Sequence, residues 1–229
     1  TADYNTAVGS GAMYAATTGT QNVAVGRDAL NDITTGNYNV AVGYNSLDAL
    51  TTASNNTGVG HSALGANTTG TNNVAVGYQA ALTNTTGGDN TAIGLQALRL
   101  NTTGDDNTAI GTSALDANTT GSFNTAVGRS ALVANTTASY NTAVGREALK
   151  SVTTGDSNVG IGRNAGGSIT TGTGGVAVGA LAADAVTTAN YTTAIGYAAG
   201  TALGTADNNT LVGAGAGENL VGANNTALG

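Results

Sequence analysis

The chain has 229 residues, a net charge of −7 at neutral pH, and neither proline nor cysteine. The absence of cysteine excludes disulfides and thiolate metal sites, and so acidic and charge-poor a chain lacks the clustered basic residues that bind a nucleic-acid backbone. With 36 glycines, one phenylalanine and no tryptophan, the chain cannot fill a wide core, so its fold has to be thin.

A pentapeptide of the form N-[T/V]-A-[V/I]-G recurs every 17 residues. Its last residue, the motif glycine, occupies Gly9, Gly26, Gly43, Gly60, Gly77, Gly94, Gly111, Gly128, Gly145, Gly162, Gly179, Gly196 and Gly213, and a shortened unit ends at Gly229. So short and constant a period predicts a solenoid in which each unit is one coil. We expect one continuous array over residues 1–229, regular over 1–162 and less regular, with more Gly and Ala, over 163–229.

The first residue of each motif forms the Asn column, which runs from Asn5 through Asn73, Asn107 and Asn124 to Asn158. An asparagine at a coil corner can hydrogen-bond its own backbone and the asparagine of the next coil. We therefore predict a ladder of side-chain amides. A ligand or ion site would instead need carboxylates at a fixed spacing.

The residues between this asparagine and the motif glycine are typical of a strand. The residue before the glycine forms the Val column, which includes Val76, Ile110 and Val127 and is never polar. Because β-branched residues favour strands, we predict that the Val column is the buried ladder. The residue before it forms the Ala column, which strand alternation directs to the opposite side. We therefore expect the alanines to lie outside, where another backbone could approach closely.

The motif glycine itself, as at Gly77, Gly111 and Gly128, predicts a corner with positive φ or a contact without room for a Cβ. A second glycine column, ten residues later, accepts alanine, for example at Ala53, Ala138 and Ala189. We therefore expect the turn at the second column to be less strained.

The residue after the motif glycine forms the ridge column. It accepts charged, aromatic and aliphatic side chains, which indicates a solvent-facing turn. The alternative is a receptor-contact ridge, for which the candidates are Tyr44, His61, Tyr78, Arg129, Arg146 and Arg163. Glu147 and Asp156 are close enough in sequence to neutralise the three arginines.

The rest of the coil contains the largest apolar side chains. The Leu column lies four residues after the motif glycine, and the sequence does not decide whether it fills its own coil or contacts a neighbouring chain. Three residues later, five successive coils have asparagine where the flanking coils have Ile, Leu or Val, a switch for which the sequence offers no account. With two stretches favourable to strands and two turns, we expect a flattened, two-sided parallel roll.

A pair of adjacent threonines follows in most coils, from Thr17-Thr18 to Thr187-Thr188. Regular threonines on a β-solenoid are what an ice-binding surface requires, so ice binding by this Thr-Thr ladder is the alternative function. However, adjacent strand residues point to opposite sides, so only one file could face ice.

No constellation for catalysis is present. His61 is the only histidine and there is no cysteine nucleophile, which excludes a multi-histidine metal site and cysteine chemistry. We expect no catalytic residues, no metal, no cofactor and no enzyme activity. The chain also lacks an apolar run of the roughly 20 residues that span a membrane.

Two runs, Asn141-Thr142-Ala143-Val144-Gly145 and Asn118-Thr119-Thr120-Gly121, show that the repeat resembles the head repeats of YadA-like trimeric autotransporter adhesins. It is even more similar to the repetitive shafts of phage tail fibre proteins with a C-terminal endosialidase-type chaperone. The resemblance implies an all-β, left-handed parallel β-roll that forms a homotrimeric rod. The 17-residue unit is longer than the usual adhesin head unit, and no neck, stalk, anchor or chaperone segment is recognisable, so we expect a segment of a longer chain.

The resemblance implies a structural and adhesive role in an extracellular fibre, on a virion tail or a bacterial cell surface. The expected partners are two further copies of the chain and a glycan or protein receptor on a host cell. We expect no nucleic-acid binding and no membrane insertion. The alanine side of the roll is the expected contact between chains.

Overall fold

The computed structural model describes residues 3–229, and every regular element in this range is a three-residue strand. The chain divides into two units, which end at residues 113 and 229. The first unit contains β1 (Thr6–Val8), β2 (Val23–Val25), β3 (Val40–Val42), β4 (Thr57–Val59), β5 (Val74–Val76), β6 (Thr91–Ile93) and β7 (Thr108–Ile110). The second contains β8 (Thr125–Val127), β9 (Thr142–Val144), β10 (Val159–Ile161), β11 (Val176–Val178), β12 (Thr193–Ile195), β13 (Thr210–Val212) and β14 (Thr226–Leu228).

Within each unit, every strand pairs in parallel with the strand of the next coil. Ala92 of β6, for example, lies opposite Ala109 of β7, at the repeat distance of 17 residues. In the shortened last unit, Thr210 lies opposite Thr226. The predicted parallel β-solenoid with one 17-residue unit per coil is therefore confirmed. The continuity of the array over the whole chain stays a prediction.

Each coil has one strand, so the expectation of two strands per coil is wrong. The opposite side of the coil consists of turns that are nevertheless hydrogen-bonded to the next coil. The backbone N–H of Leu30 donates to Ser46 O (3.0 Å), and that of Thr34 donates to Thr51 O (2.8 Å). The backbone is thus paired between coils on this side too, without extended geometry.

Left-handed residues explain why this side is not a strand. The positions two and four residues after the motif glycine have positive φ even where they are not glycine, as at Ser62 (53°) and Leu64 (52°). A leucine in this region is uncommon, and an extended strand cannot pass through it. Because such a conformation costs about 1–2 kcal/mol per residue, it persists only where packing compensates. Leu64 is fully buried.

The interior of each coil lies between the Ala and Leu columns. The fully buried alanines of the strands include Ala24, Ala41, Ala75, Ala92 and Ala109 in the first unit and Ala126, Ala143 and Ala194 in the second. The buried leucines opposite them include Leu30, Leu47, Leu64 and Leu98, and then Leu115, Leu132 and Leu149. The Leu column therefore fills its own coils.

This interior has little spare room. A Cβ at Gly160, which replaces an alanine, would lie only 2.7 Å from Leu149 Cγ. Where Leu211 occupies the Ala column instead, the Leu column contains Gly200 and Gly217. A Cβ at either glycine would lie within 3 Å of the Leu211 side chain. One large residue therefore replaces the volume lost at two neighbouring positions.

The assignment of the Val column to the core is wrong. Val76 is 37% exposed and Ile110 38% exposed, whereas Val127 is half-buried. The Ala column, predicted to face outward, points inward. Strand alternation sends the two columns to opposite sides, and a thin coil that already contains a leucine accommodates only the smaller residue inside.

Candidate interaction surface

The outward residues of the strands form an uncharged surface, which we call the outward strip. In each unit it consists of the first and third residue of every strand, and these are only Val, Ile or Thr apart from Leu228. Val25, Ile93 and Ile161 are 37–41% exposed. Monomeric soluble proteins rarely expose long contiguous apolar patches, and such patches mark interaction sites. The sequence predicted these columns but not the side that they face.

The motif glycines border the outward strip, and both predicted reasons for glycine hold. Gly77, Gly111 and Gly128 have φ of 140°, 130° and 131°. A Cβ at Gly77 would lie 2.4 Å from the carbonyl oxygen of Gly94, the motif glycine of the next coil. The second glycine column lacks positive φ at Gly36 and Gly70, which agrees with a less strained turn.

The ridge column is exposed, and in the first unit its rings form a short stack. The His61 ring lies 5.1 Å from the centroids of both Tyr44 and Tyr78, at tilts of 43° and 33°. The guanidinium of Arg27 lies 5.6 Å from the Tyr44 centroid, and Ser62 Oγ lies 3.0 Å from His61 Nδ1. All three rings are tilted against one another and remain exposed to solvent.

In the second unit, Arg129, Arg146 and Arg163 occupy the ridge positions of three successive coils, and all three are exposed. Arg146 forms an ion pair with Glu147 at 2.8 Å, and its hydrogen bond lowers the pKa of the Glu147 carboxyl. Asp156 is used differently, since its Oδ1 accepts the backbone N–H of Ser139 at 2.7 Å. The neutralisation expected of Glu147 is present, whereas no ion pair involves Asp156 among the described residues.

The Asn column forms the predicted ladder and is buried. Asn73 donates through Nδ2 to Asn56 Oδ1 (3.2 Å) and to Gly87 O (2.9 Å). Asn107 donates in the same way to Asn90 Oδ1 at 3.1 Å.

In the second unit, Asn124 Oδ1 accepts the backbone N–H of Asn141 at 3.0 Å, and Asn124 Nδ2 donates to Ala138 O at 2.9 Å. Each side chain thus links two coils. The column has a structural role, as predicted.

A second amide ladder was missed by the sequence analysis. Asn84 donates to Asn67 Oδ1 (3.1 Å) and to Gly87 O (2.9 Å), and Asn101 donates to Asn84 Oδ1 (2.7 Å). These side chains are buried in the same place as Ile33 and Val152 of other coils. The column therefore points inward and is filled either by hydrocarbon or by a run of amides.

The run of amides ends where hydrocarbon begins. Asn135 donates to Asn118 Oδ1 at 2.8 Å, but its own Oδ1 has no hydrogen-bond partner. In the next coil the column contains Val152, which has no donor to offer. The unbroken run of asparagines in the sequence was the signal of this ladder.

The two threonines of each pair have different roles. The first donates its hydroxyl to the backbone of the next coil, as Thr68 Oγ1 does to Thr85 O (3.0 Å) and Thr136 Oγ1 to Thr153 O (3.1 Å). The second, for example Thr69, is exposed. In each unit, the first threonines therefore use their hydroxyls in hydrogen bonds between coils, and the second threonines face solvent.

A small group of carboxylates lies on the turn side of the first unit. Burial raises the pKa of Asp48 above its ordinary value of 3.8, and the neighbouring charges of Asp32 and Asp28 raise it further. Asp28 is paired with Arg27 at 3.0 Å. Residues 3–229 contain no cluster of His, Cys, Asp and Glu arranged to hold a metal ion.

The described part of the chain encloses no pocket. None of its residues belongs to a helix long and apolar enough to cross a bilayer. Comparison of the chain with protein-family models, with curated proteins and with solved structures returned no match.

Proposed function

We propose that this chain is the repeat region of a trimeric extracellular fibre, in which it acts as a rigid spacer and presents the ridge column to a receptor. The observation that carries this proposal is the outward strip, which is uncharged and in both units presents exposed or half-buried valine and isoleucine side chains beside threonines. A surface of this composition is unfavourable in water. Association of identical chains covers it without any additional domain.

We expect a closed assembly rather than a sheet-like aggregate. Each chain presents one such strip per unit, and chains related by rotation about a common axis can all direct it inward. Three chains around one axis would bury the strips and leave the turn side of every coil in solvent. The contact between chains is then the Val column and not the Ala column, which is already used inside each coil.

The hydrogen-bond ladders support a mechanical role. Within each unit, every coil is connected to the next by strand pairing and by turn-side backbone bonds such as Leu30 N–H to Ser46 O. Side-chain amides such as that of Asn73 add further links between coils. Bending such a stack opens bonds in several columns at once. A stiff spacer that resists proteolysis is the expected property.

Receptor contact is assigned to the ridge column, where Tyr44, Tyr78 and Arg146 remain exposed. Tyrosine and arginine combine apolar area with hydrogen-bond donors, and both are enriched at binding hot spots. A glycan or protein on a host-cell surface fits this chemistry. A location outside the cell, on a virion tail fibre or a bacterial surface, follows from the proposed role.

The test is the molar mass of the purified chain, measured by light scattering after size-exclusion chromatography. We expect three times the chain mass of 22.0 kDa. Val76→Asp places a charge in the outward strip and should reduce the mass to that of one chain. Thr69→Asp, an exposed control outside the strip, should keep the mass of three. A wild-type chain that is monomeric would contradict the proposal.

The file of exposed threonines favours a second candidate function, ice binding. Thr69 and its equivalents repeat once per coil, at about 4.8 Å, with their side chains in solvent. An ice-binding protein would show thermal hysteresis that Thr69→Leu reduces. The matched variant Thr68→Leu removes a hydroxyl that is already bonded to Thr85 O, so it should change stability more than hysteresis. A fibre would show no hysteresis in either form.

A further inference from the structure

The ridge column contains most of the cations of an acidic chain. Four of the six Lys and Arg residues occupy it, namely Arg27, Arg129, Arg146 and Arg163, and none of the thirteen Asp and Glu residues does. Because the column takes only one position in each 17-residue coil, two thirds of the cations lie in a small fraction of the sequence. A turn that only has to face solvent does not require this concentration of positive charge.

Three of these cations belong to successive coils of the second unit, and we call them the arginine stripe: Arg129, Arg146 and Arg163. The strands that precede them, β8, β9 and β10, pair in parallel without a shift. The arginines are therefore offset by one strand spacing, about 4.8 Å. Backbone hydrogen bonds keep them in this register, since Glu147 N–H donates to Arg129 O and Asn164 N–H donates to Arg146 O, both at 2.9 Å.

The arginine stripe is only partly neutralised within its own unit. Glu147 pairs with Arg146 at 2.8 Å and also with Lys150 at 3.6 Å, so one carboxylate serves two cations. The guanidinium groups of Arg129 and Arg163 have neither an ion pair nor a hydrogen bond among residues 3–229, and both are exposed. Like charges on neighbouring strands destabilise a sheet. An anion from outside the chain would offset this repulsion.

The charge around the arginine stripe is opposite in sign to that of the rest of the chain. Between Asp116 and Asp184 the chain contains four basic and two acidic residues, whereas the rest of the chain, with these two aspartates, contains two basic and eleven acidic residues. Electrostatic interactions between exposed charges extend over about 8–10 Å at physiological ionic strength. An anionic ligand is therefore attracted to this part of the second unit and repelled elsewhere.

The shape of the surface restricts the kind of anion. The described part of the chain has no pocket that would enclose a small molecule, and the arginines repeat along a ridge. A ligand that contacts such a ridge at every coil is itself a chain with regularly spaced anions. The guanidinium group binds carboxylate, sulfate or phosphate through two parallel hydrogen bonds. The coil spacing is close to the length of one sugar residue in an extended glycan.

We propose that the arginine stripe binds a linear acidic glycan that runs along the stack of coils and directs carboxylate or sulfate groups to the three guanidinium groups. This inference rests on the proposed function, because it takes the ridge column as the receptor contact. It adds the chemistry of the receptor, an acidic polysaccharide and not a protein, and the place where this receptor binds.

The test is fluorescence anisotropy of labelled oligosaccharides titrated with the full chain at low ionic strength. An oligogalacturonate provides a carboxylate on every sugar, a heparin oligosaccharide provides sulfates, and dextran of matched length is the neutral control. We expect at least one acidic oligosaccharide to bind and dextran not to bind. Comparison of the two acidic ligands identifies the preferred anion. Sodium chloride should weaken the binding, because salt screens exposed charges.

Variants of the arginine stripe show whether these side chains carry the binding. Arg129→Gln/Arg163→Gln removes the two cations without a partner among residues 3–229, so it should leave the fold intact and weaken binding about two- to fivefold per arginine. Arg129→Lys/Arg163→Lys keeps the charge but not the paired hydrogen bonds, and its affinity should lie between those of the other two proteins. Arg99→Gln removes the same charge from the turn side of the first unit and should not change the affinity.

The outcomes separate this inference from the proposed function, because the mass of each variant is measured by light scattering before titration. Trimers that bind neither acidic oligosaccharide, or bind them equally well in the Arg129→Gln/Arg163→Gln variant, would overturn the glycan site and leave the fibre intact. Equal affinity for an oligothymidylate with the same number of charges would overturn the assignment to a glycan. A monomeric chain whose glycan binding depends on the two arginines would support the site and overturn the fibre.

Discussion

The inward and outward faces of the strands differ in the side-chain sizes that they accommodate. Inward, the Ala column accepts larger side chains only when space is vacated nearby, as Leu211 does beside Gly200 and Gly217. Outward, the strip contains valine or isoleucine in coil after coil although these side chains are exposed. The inward face is limited by the volume of a thin coil. The outward face has no such limit in one chain, and the proposed trimer would cover its valine and isoleucine side chains.

The largest expected effect is a difference in stability between aspartate substitutions at two adjacent strand residues. Ala75→Asp buries an unpaired carboxylate and should destabilise the fold by about 3–5 kcal/mol. Val76→Asp places the same group outside and should leave the fold of the chain intact. Circular dichroism and limited proteolysis of both variants measure this difference. Equal loss of structure in both would contradict the assignment of the two faces.

The two glycine columns at the ends of the turn side sharpen the comparison. Gly43 has a φ of 132° and a Cβ there would lie 2.5 Å from Gly60 O, so Gly43→Ala should cost about 2–3 kcal/mol. Gly36 has no positive φ, and its column already contains Ala53, Ala138 and Ala189. A Cβ at Gly36 would lie close to the carbonyl oxygen of Ala53, so the backbone has to shift slightly. Because no positive φ adds to this cost, Gly36→Ala should cost less than Gly43→Ala.

Chemical denaturation of the Gly43→Ala and Gly36→Ala variants compares these costs. The reverse order of stabilities would show that the close carbonyl contact, which both columns share, matters more than φ.

The inward amide ladder predicts an asymmetry between breaking and extending it. Asn84→Val removes the donor to Asn67 Oδ1 and the acceptor of Asn101, so it should cost about 2–3 kcal/mol. Val152→Asn supplies a donor to the unpartnered Asn135 Oδ1 but creates a new unpartnered end at position 152.

We therefore expect Val152→Asn to change the free energy of unfolding by less than about 1 kcal/mol. Thermal melts of the Asn84→Val and Val152→Asn variants provide the test. Equal costs would mean that the amides act independently and not as a ladder.

The smallest effect concerns pH. Burial and the charges of Asp32 and Asp28 raise the pKa of Asp48, so the folded chain holds its proton more tightly than the unfolded chain. The stability gained from this proton is present below pH 3.8, the ordinary value, and is lost as the pH rises through the folded pKa. Asp48→Asn should therefore raise the melting temperature at pH 7 and give no gain at pH 3. An equal gain at both values would exclude the carboxylate charge as its cause.

The sequence predicted the elements that depend on period. Coil length, parallel stacking and the Asn73 ladder follow from residues that recur every 17 positions, whichever way the side chains face. The orientation of Val76 could not be predicted in the same way, because a strand shifted by one residue exchanges its two faces. A β-branched column favours burial, but the volume of the coil determines which face of the strand points inward. Because the Leu column already fills the coil, only alanine fits on the inward face.

The turn side was the least predictable part. Because leucine rarely adopts positive φ, the sequence did not predict left-handed residues at Leu64 or Leu115. The candidate ridge was predicted to be exposed because Tyr44, His61 and Arg146 share a column, and the structure confirms that exposure. Its role in receptor contact stays a prediction.

The central claim, that the outward strip is covered by other copies of the chain, is tested most directly by thiol labelling. Val76→Cys and Thr69→Cys each introduce a single thiol into a protein without cysteine, one inside the strip and one outside it. We predict that a maleimide reagent labels Thr69→Cys rapidly under native conditions and labels Val76→Cys only after denaturation. Equally rapid labelling of both native variants would show that the strip is open to solvent and would contradict the account.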